Sequence, residues 1–225
     1  LYWTGTPTGV LAVGSVFSAL EVVPLVLVGF EAYENYKHSY ATPWVAAYRW
    51  PILFFVAVAF WNLVGAGLFG FLINPPLALY YMQGLNTTPL HGHTALFGVY
   101  GMLGIGLMLF CLRGLGRTAV WDEKLLKGSF WTLNIGLALM ALLSLLPQGL
   151  MQVHAAVTHG FWYARSAEFL QQPLMQTLVW LRMPGDVVFS IGRGRGQHSG
   201  FGAPLSAIEQ VTPVDSHTIR IKTRT

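Results

Sequence analysis

Long apolar stretches separated by short polar segments make up most of this chain. A bilayer-spanning α-helix needs about 20 predominantly apolar residues. Five stretches reach that length, at 9–33, 52–73, 90–112, 128–151 and 173–192. The middle three contain no Asp, Glu, Lys or Arg, whereas Glu21 lies within the first stretch and Arg182 and Asp186 within the fifth. The pattern predicts an all-α integral membrane protein with about five transmembrane helices.

The composition supports the same class. Hydrophobic residues make up 54% of the chain, charged residues only 10%, and the mean hydropathy is +0.52. Soluble domains carry roughly 25% charged residues, so a soluble globular domain is excluded. The net charge of +4 does not indicate a nucleic-acid partner, because the basic residues flank the apolar stretches. The single cysteine, Cys111, excludes an internal disulfide and a Cys-based metal site.

Lys and Arg residues are concentrated in the loops on one side of the predicted bundle. Those loops contain Lys37, Arg49, Arg113, Arg117, Lys124 and Lys127, with Arg193 and Arg195 joining them if the fifth stretch crosses. The opposite side has only Arg165. The positive-inside rule therefore predicts that the first group is cytoplasmic. In that orientation His91 and His93 lie near the outer end of the third helix, and Glu21 lies near the middle of the membrane.

The character of the chain changes after residue 192. Residues 1–192 form the predicted membrane domain, and residues 193–225 are polar and flexible in composition. Two explanations for this tail remain open, a disordered cytoplasmic segment and a shift of reading frame. The chain begins with Leu1 and has no basic leader, so we expect it to be a piece of a longer polypeptide.

His91 and His93 are the most informative residues of the chain. Residues two apart on an α-helix point about 200° apart, so these imidazoles cannot bind one metal together. They can instead bind one metal each on opposite sides of the same helix, which is the arrangement needed to hold two haems. The alternative, that they are hydrogen-bonding residues in a helix interface, remains open at this point.

Three charged residues inside the predicted spans also invite a function. An ionised carboxylate at the depth of Glu21 costs several kcal/mol, so it should be protonated, paired or facing a polar cavity. A proton relay, a supporting metal group and a neutral hydrogen-bonded acid are all compatible with it. Pro24 removes the helical donor for the carbonyl of Leu20. Arg182 and Asp186 have the spacing of an ion pair on one helix face.

Several ordered motifs resemble one family. The run TPLHGHTALFGVYGM at 88–102 is similar to the tenth core helix of nitric oxide reductases, in the haem-copper oxidase superfamily. SALEVVPL at 18–25, WYARS at 162–166, and FWNLVGAG at 60–67 followed by FLIN at 71–74 agree with it. The resemblance covers residues 1 to about 192, and EAYENY at 31–36 looks more like the quinol-dependent single-chain type.

The resemblance implies a C-terminal part of a twelve-helix catalytic bundle in the bacterial cytoplasmic membrane. It implies that His91 is the proximal ligand of a high-spin haem b and that His93 ligates a low-spin haem b. It places Glu21 near the binuclear centre and Asp186 near the quinol pocket. The implied reaction reduces two NO to N2O and water with electrons from quinol.

The same resemblance indicates which metal ligands of the family are missing from this stretch of sequence. The family's non-haem iron is held by histidines and a glutamate that include a His-His pair, and the chain contains no such pair. We therefore expect the chain alone to be inactive without the N-terminal part of the enzyme. Three alternatives stay open: an oxygen-reducing haem-copper oxidase, a non-catalytic helical membrane protein, and an inactive gene fragment.

Overall fold

Four long apolar helices dominate the structure. The computed structural model describes residues 5–39, 43–115, 120–196, 208–213 and 219–223. The helices long and apolar enough to cross a membrane are the first span Thr8–Asn35, the second span Arg49–Ile73, the third span Thr87–Leu115 and the fourth span Glu123–His159. They coincide with the first four predicted stretches. The prediction of a helical, multi-pass membrane protein is confirmed.

The fifth predicted stretch is two shorter helices rather than one. They are Pro173–Trp180 and Met183–Gly196. Pro184 explains the break, because its nitrogen has no hydrogen to donate and its ring collides with the carbonyl four residues earlier. At the junction the Arg182 N–H bonds the carbonyl of Val179, three residues back, instead of continuing the α-helical pattern. The prediction of a continuous fifth helix is therefore corrected.

The long helices are not uniform. A turn at Glu21 separates α1 (Thr8–Leu20) from α2 (Val22–Ser39), and π-helical turns interrupt the other three spans. The π-helical segments are Asn62–Phe69, Leu96–Gly101 and Met140–Leu145. The α-helices that follow along the chain are α3 (Pro43–Ala47), α4 (Arg49–Trp61), α5 (Gly70–Ile73), α6 (Pro76–Met82), α7 (Thr87–Ala95), α8 (Met102–Leu115), α9 (Glu123–Leu139), α10 (Leu146–His159), α11 (Ala167–Leu170), α12 (Pro173–Trp180) and α13 (Met183–Gly196).

The second, third and fourth spans pack around one apolar core. Its most deeply buried large side chains include Phe54, Met102, Leu109 and Leu137. Glycines allow the backbones to approach: a Cβ on Gly98 would lie 2.7 Å from the Trp61 side chain, and one on Gly106 would lie 2.8 Å from Phe55. Small residues at helix contacts are typical of membrane bundles, where close packing replaces the hydrophobic effect as the force between helices.

Two tryptophans tie the second span to the fourth through hydrogen bonds. Trp61 Nε1 donates to Asn134 Oδ1 at 2.9 Å, and Trp50 Nε1 donates to Glu123 Oε2 at 2.6 Å. The Asn134 amide also donates to the Phe130 carbonyl of its own helix at 2.8 Å. Because polar groups away from water are costly without partners, these bonds hold the two helices in one register.

Helix α13 docks tightly on the fourth span. A Cβ on Gly136 would lie 2.6 Å from the backbone nitrogen of Phe189, and one on Gly185 would lie 2.6 Å from that of Met140. The Phe189 ring also meets Phe97 of the third span edge-on, with centroids 4.4 Å apart. This docking places the middle of α13 beside the third span.

The C-terminal region contains a short antiparallel hairpin. Strand β1 (Ile208–Pro213) pairs with β2 (Ile219–Thr223), with Val211 opposite Ile221. Helix α13 continues to Gly196, past the predicted boundary at residue 192. Much of the tail, including His198 and His217, lies outside the described residues. The division of the chain at 192/193 stays a prediction.

Replacing Gly136 by Ala should destabilise the bundle. The new methyl group would meet the backbone of Phe189, and overpacking of this kind typically costs about 1–3 kcal/mol. We expect the variant purified in detergent to melt several degrees below the wild type. Unfolding is followed by tryptophan fluorescence. Gly104→Ala is the matched control, because no described atom lies within 4 Å of its Cβ position. Equal melting temperatures for the two variants would contradict the proposed α13 docking.

Candidate functional site

The two histidines lie in the second turn of α7. Pro89 occupies the first turn of this helix, where a missing N–H removes no helical bond. His91 and His93 then follow, both half-buried, with the fully buried Thr94 next to them. Both imidazoles therefore lie within the first two turns of this helix.

His91 lies against the second span. Its Nδ1–H donates to the carbonyl of Gly65 at 2.8 Å. The ring also covers Gly70, since a Cβ there would lie 3.0 Å from His91 Cε1. Gly65 itself touches the third span, where its Cβ would lie 2.7 Å from Thr94. The imidazole is held between two glycines of a neighbouring helix.

His93 faces a different neighbour. Its Nδ1–H donates to the Pro89 carbonyl of the preceding turn at 2.8 Å. Its Nε2 accepts a hydrogen bond from Arg182 Nη2 at 3.0 Å. Arg182 belongs to the turn between α12 and α13. The two imidazoles therefore contact different elements, as their spacing predicted.

The hydrogen bonds define the tautomer of both rings. A carbonyl can only accept, so each Nδ1 carries a hydrogen, and in the neutral imidazole Nε2 then carries the lone pair. A backbone carbonyl on the other ring nitrogen is the usual arrangement around a metal-ligating imidazole. Among the described residues no three His, Cys, Asp or Glu side chains gather into a metal cluster. Each histidine is thus suited to supply a single nitrogen ligand.

The predicted pair between Arg182 and Asp186 is confirmed. Arg182 Nε lies 3.2 Å from Asp186 Oδ2, and the Asp186 N–H bonds the Arg182 carbonyl at 3.1 Å. The two side chains remain 37% and 47% exposed, so the pair is a partly solvated one. One guanidinium therefore bonds both His93 and Asp186.

Glu21 occupies the break between α1 and α2. Its N–H bonds the Ser18 carbonyl at 3.3 Å, three residues back, and its exposed carboxylate is in neither of the described ion pairs. Val22 and Leu25, on the helix that follows, pack 3.9 and 3.5 Å from the Cβ position of Gly67. Gly67 lies between Gly65 and Gly70, so Glu21 and His91 come from helices that flank the same glycine-rich segment.

A polar cluster that no sequence motif indicated lies just before α7. Asn86 bonds two glutamines of α10: its N–H donates to Gln152 Oε1 at 2.8 Å, and its Nδ2 donates to Gln148 Oε1 at 2.9 Å. Both glutamines are buried. The sequence feature that could have indicated this cluster is the pair of glutamines, which are spaced four residues apart in a largely apolar helix.

Arg165 connects the loop after α10 to the segment before α7. Its guanidinium stacks on the Phe161 ring at 3.5 Å from the centroid and also bonds the Gln83 carbonyl. Partial burial lowers the pKa of Arg165, because the charged form loses solvation. The loop is thus linked directly to the segment before α7.

Comparison with known proteins agrees with this architecture. Residues 1–188 match the family described as "Cytochrome C and Quinol oxidase polypeptide I". The chain is also similar to a nitric oxide reductase subunit of Stutzerimonas stutzeri, with 36% identity over 105 residues. That alignment covers 45% of this chain and 21% of the relative, so the chain spans about a fifth of that relative. Since the family match extends over most of its length, this chain belongs to the cytochrome c and quinol oxidase polypeptide I family.

Proposed function

We propose that this chain is the haem-ligating part of a quinol-dependent nitric oxide reductase. The reaction joins two NO, two electrons and two protons into N2O and water. The observation that carries the proposal is the pair of oppositely directed imidazoles, each with Nδ1 on a carbonyl and a lone pair on Nε2. The similarity to a nitric oxide reductase subunit supports this choice of reaction within the family.

The chemistry of the donors fits two haems. Each imidazole would hold a haem iron through its Nε2, and the bound haem would supply one-electron redox chemistry. His91 would hold the high-spin haem b and His93 the low-spin haem b. The carbonyls of Gly65 and Pro89 fix the orientation of the two rings.

Ligation through His93 Nε2 would replace the hydrogen bond from Arg182, since one lone pair cannot serve both. Asp186 remains as the acceptor for the guanidinium, and its 3.2 Å contact needs no change. Asp186 would lie near the quinol pocket, where a carboxylate can accept a proton from a quinol hydroxyl. The pair would then lie next to the low-spin haem ligand, without a hydrogen bond to its ligating nitrogen.

Glu21 would handle protons. Its place in a helix break on the flank of the glycine-rich second span leaves its carboxylate free of the described ion pairs. A carboxyl group in an apolar surrounding can exchange a proton with the reacting oxygen of NO, and general acid catalysis of this kind contributes about 10²–10⁴-fold.

The non-haem iron of this proposal is bound by the N-terminal part of the enzyme. The described residues contain no cluster of three ligands for it, so no step of the reaction is assigned to it. The remaining partners are NO, quinol and the lipid of the bacterial cytoplasmic membrane. No nucleic acid is involved.

An oxygen-reducing oxidase is the second candidate, favoured by the family description, which covers cytochrome c and quinol oxidases. The two candidates differ in the metal beside the high-spin haem. Metal analysis of the full-length gene product separates them, because iron without copper supports the reductase and stoichiometric copper supports the oxidase.

Alanine at either histidine should remove one haem and leave the other. His93→Ala should abolish the low-spin signal, whereas His91→Ala should abolish CO binding by the high-spin haem. Haem content, counted as the pyridine haemochrome of the full-length gene product, should fall by about half in each variant. His154→Ala is the control, because it removes an exposed histidine of the neighbouring helix α10. Full haem content in both α7 variants would refute the ligand assignment.

Glu21→Gln should slow NO reduction without loss of haem. The amide cannot donate a proton as an acid does, so turnover should fall about 10²-fold or more. Turnover is measured with an NO electrode at saturating donor, alongside the haem spectrum. Glu31→Gln on the next helix makes the same chemical change and should leave turnover near the wild-type value. Comparable turnover for all three proteins would remove Glu21 from the mechanism.

Asp186→Asn should weaken the use of quinol. Loss of the carboxylate removes a proton acceptor, so the KM for quinol should rise several-fold. Turnover with an artificial donor that reduces the haem directly should change much less. The control is Glu168→Gln, an exposed carboxylate of the outer loop. An unchanged KM for quinol would place the donor site elsewhere.

A further inference from the structure

The segment before α7 is fixed by the buried polar cluster of Asn86, Gln148 and Gln152, here named the amide clamp. Gln148 and Gln152 are only 6% and 5% exposed. Buried amides in an apolar helix are costly unless every hydrogen-bonding group is used. Each glutamine directs its carbonyl oxygen at Asn86, at 2.9 Å and 2.8 Å respectively.

The other end of each glutamine is also occupied. Gln148 Nε2 donates to Ser144 Oγ at 2.7 Å, and Gln152 Nε2 donates to the Ala164 carbonyl at 3.2 Å. Since both NH2 groups are engaged, the carbonyl oxygens can only point toward Asn86. The orientation of the clamp is therefore set from both sides.

Backbone contact reinforces the clamp. Gly149 lies between the two glutamines, and a Cβ there would lie 2.8 Å from the backbone nitrogen of Thr87. The first residue of α7 thus rests directly on α10. If α7 moved along its axis, the two hydrogen bonds of Asn86 would break and Thr87 would collide with α10.

Asn86 lies five residues before His91 and seven before His93, so the clamp is within about two helical turns of both. The Asn86 carbonyl accepts the Leu90 N–H at 3.1 Å, and the Pro89 carbonyl accepts Nδ1–H of His93 at 2.8 Å. His91 follows Leu90 directly, and its own Nδ1 is tied to Gly65 of the second span. A shift of Asn86 would therefore move Pro89 and rotate the His93 ring.

We propose that Gln148 and Gln152 are positioning residues for the haem ligands, which fix the height and rotation of α7 through Asn86. This inference rests on the proposed ligation of haem by His91 and His93. The clamp lies on the fourth span, so it makes the ligand geometry depend on a helix that carries no ligand. The two amides act through α7 and touch no reacting atom.

The test is Gln152→Leu in the full-length gene product purified with its haems. Leucine has a similar volume to glutamine but no acceptor for the Asn86 N–H. We expect both haems to be retained, with a shifted largest g value of the ferric low-spin haem and a changed midpoint potential. Gln152→Glu, whose protonated acid can replace both amide bonds, should restore the wild-type spectrum and potential.

Gln176→Leu is the matched control, because this exposed glutamine bonds only the Leu170 carbonyl and makes the same chemical change away from α7. Its g values should equal those of the wild type. A purely structural role for Gln152 would lower yield or melting temperature and leave the g values of the folded protein unchanged. That result would overturn the inference.

Asn86→Ala provides a second variant if Gln152→Leu does not accumulate. It removes only the side-chain bond to Gln148 and keeps the backbone bond to Gln152. A smaller shift in the same direction supports the clamp, and an unchanged spectrum overturns it. Wild-type protein without a low-spin haem would instead refute the proposed function, and the inference would fall with it.

Discussion

The close approach of the second and third spans at Gly65 is the contact on which the rest of the site depends. Gly65 lacks a side chain, and a Cβ there would lie 2.7 Å from Thr94. Only this proximity lets the Gly65 carbonyl accept the Nδ1–H of His91 at 2.8 Å. In a membrane, where apolar surfaces gain little by meeting each other, such packing and hydrogen bonding decide which helices associate. One small residue thus sets both a helix contact and the tautomer of a candidate ligand.

Hydrogen bonds between spans supply the specificity that apolar packing lacks. Trp61 with Asn134 joins the second and fourth spans, and Asn86 with Gln148 and Gln152 joins the third and fourth. Loss of any of these bonds would leave a polar group away from water without a partner. Each bond therefore restricts how the two helices can be arranged. Among the described residues, the buried side-chain atoms without a partner are the hydroxyls of two serines, Ser15 and Ser129. The interior is otherwise a satisfied network that admits few alternative registers.

The π-helical turns contribute a second constraint. They interrupt the second, third and fourth spans at Asn62–Phe69, Leu96–Gly101 and Met140–Leu145. A π-helical turn changes the rotation of everything beyond it, and such turns are frequent at functional sites. Gly65 lies within the first of them, and the second begins shortly after His93. The faces presented by each span therefore differ before and after its π-helical turn.

The sequence by itself determined the membrane class and the first four spans, and it predicted that His91 and His93 lie on opposite sides of one helix. Those follow from local rules: the length of an apolar run, and the angle between residues two apart on a helix. It did not reveal the break at Arg182, where a single proline overrides a continuous apolar pattern, nor the clamp on Asn86. Only the tertiary structure decided which neighbours His91 and His93 face. Those neighbours, Gly65 and Arg182, are 26 and 89 residues away along the chain, and no local pattern records contacts over such separations.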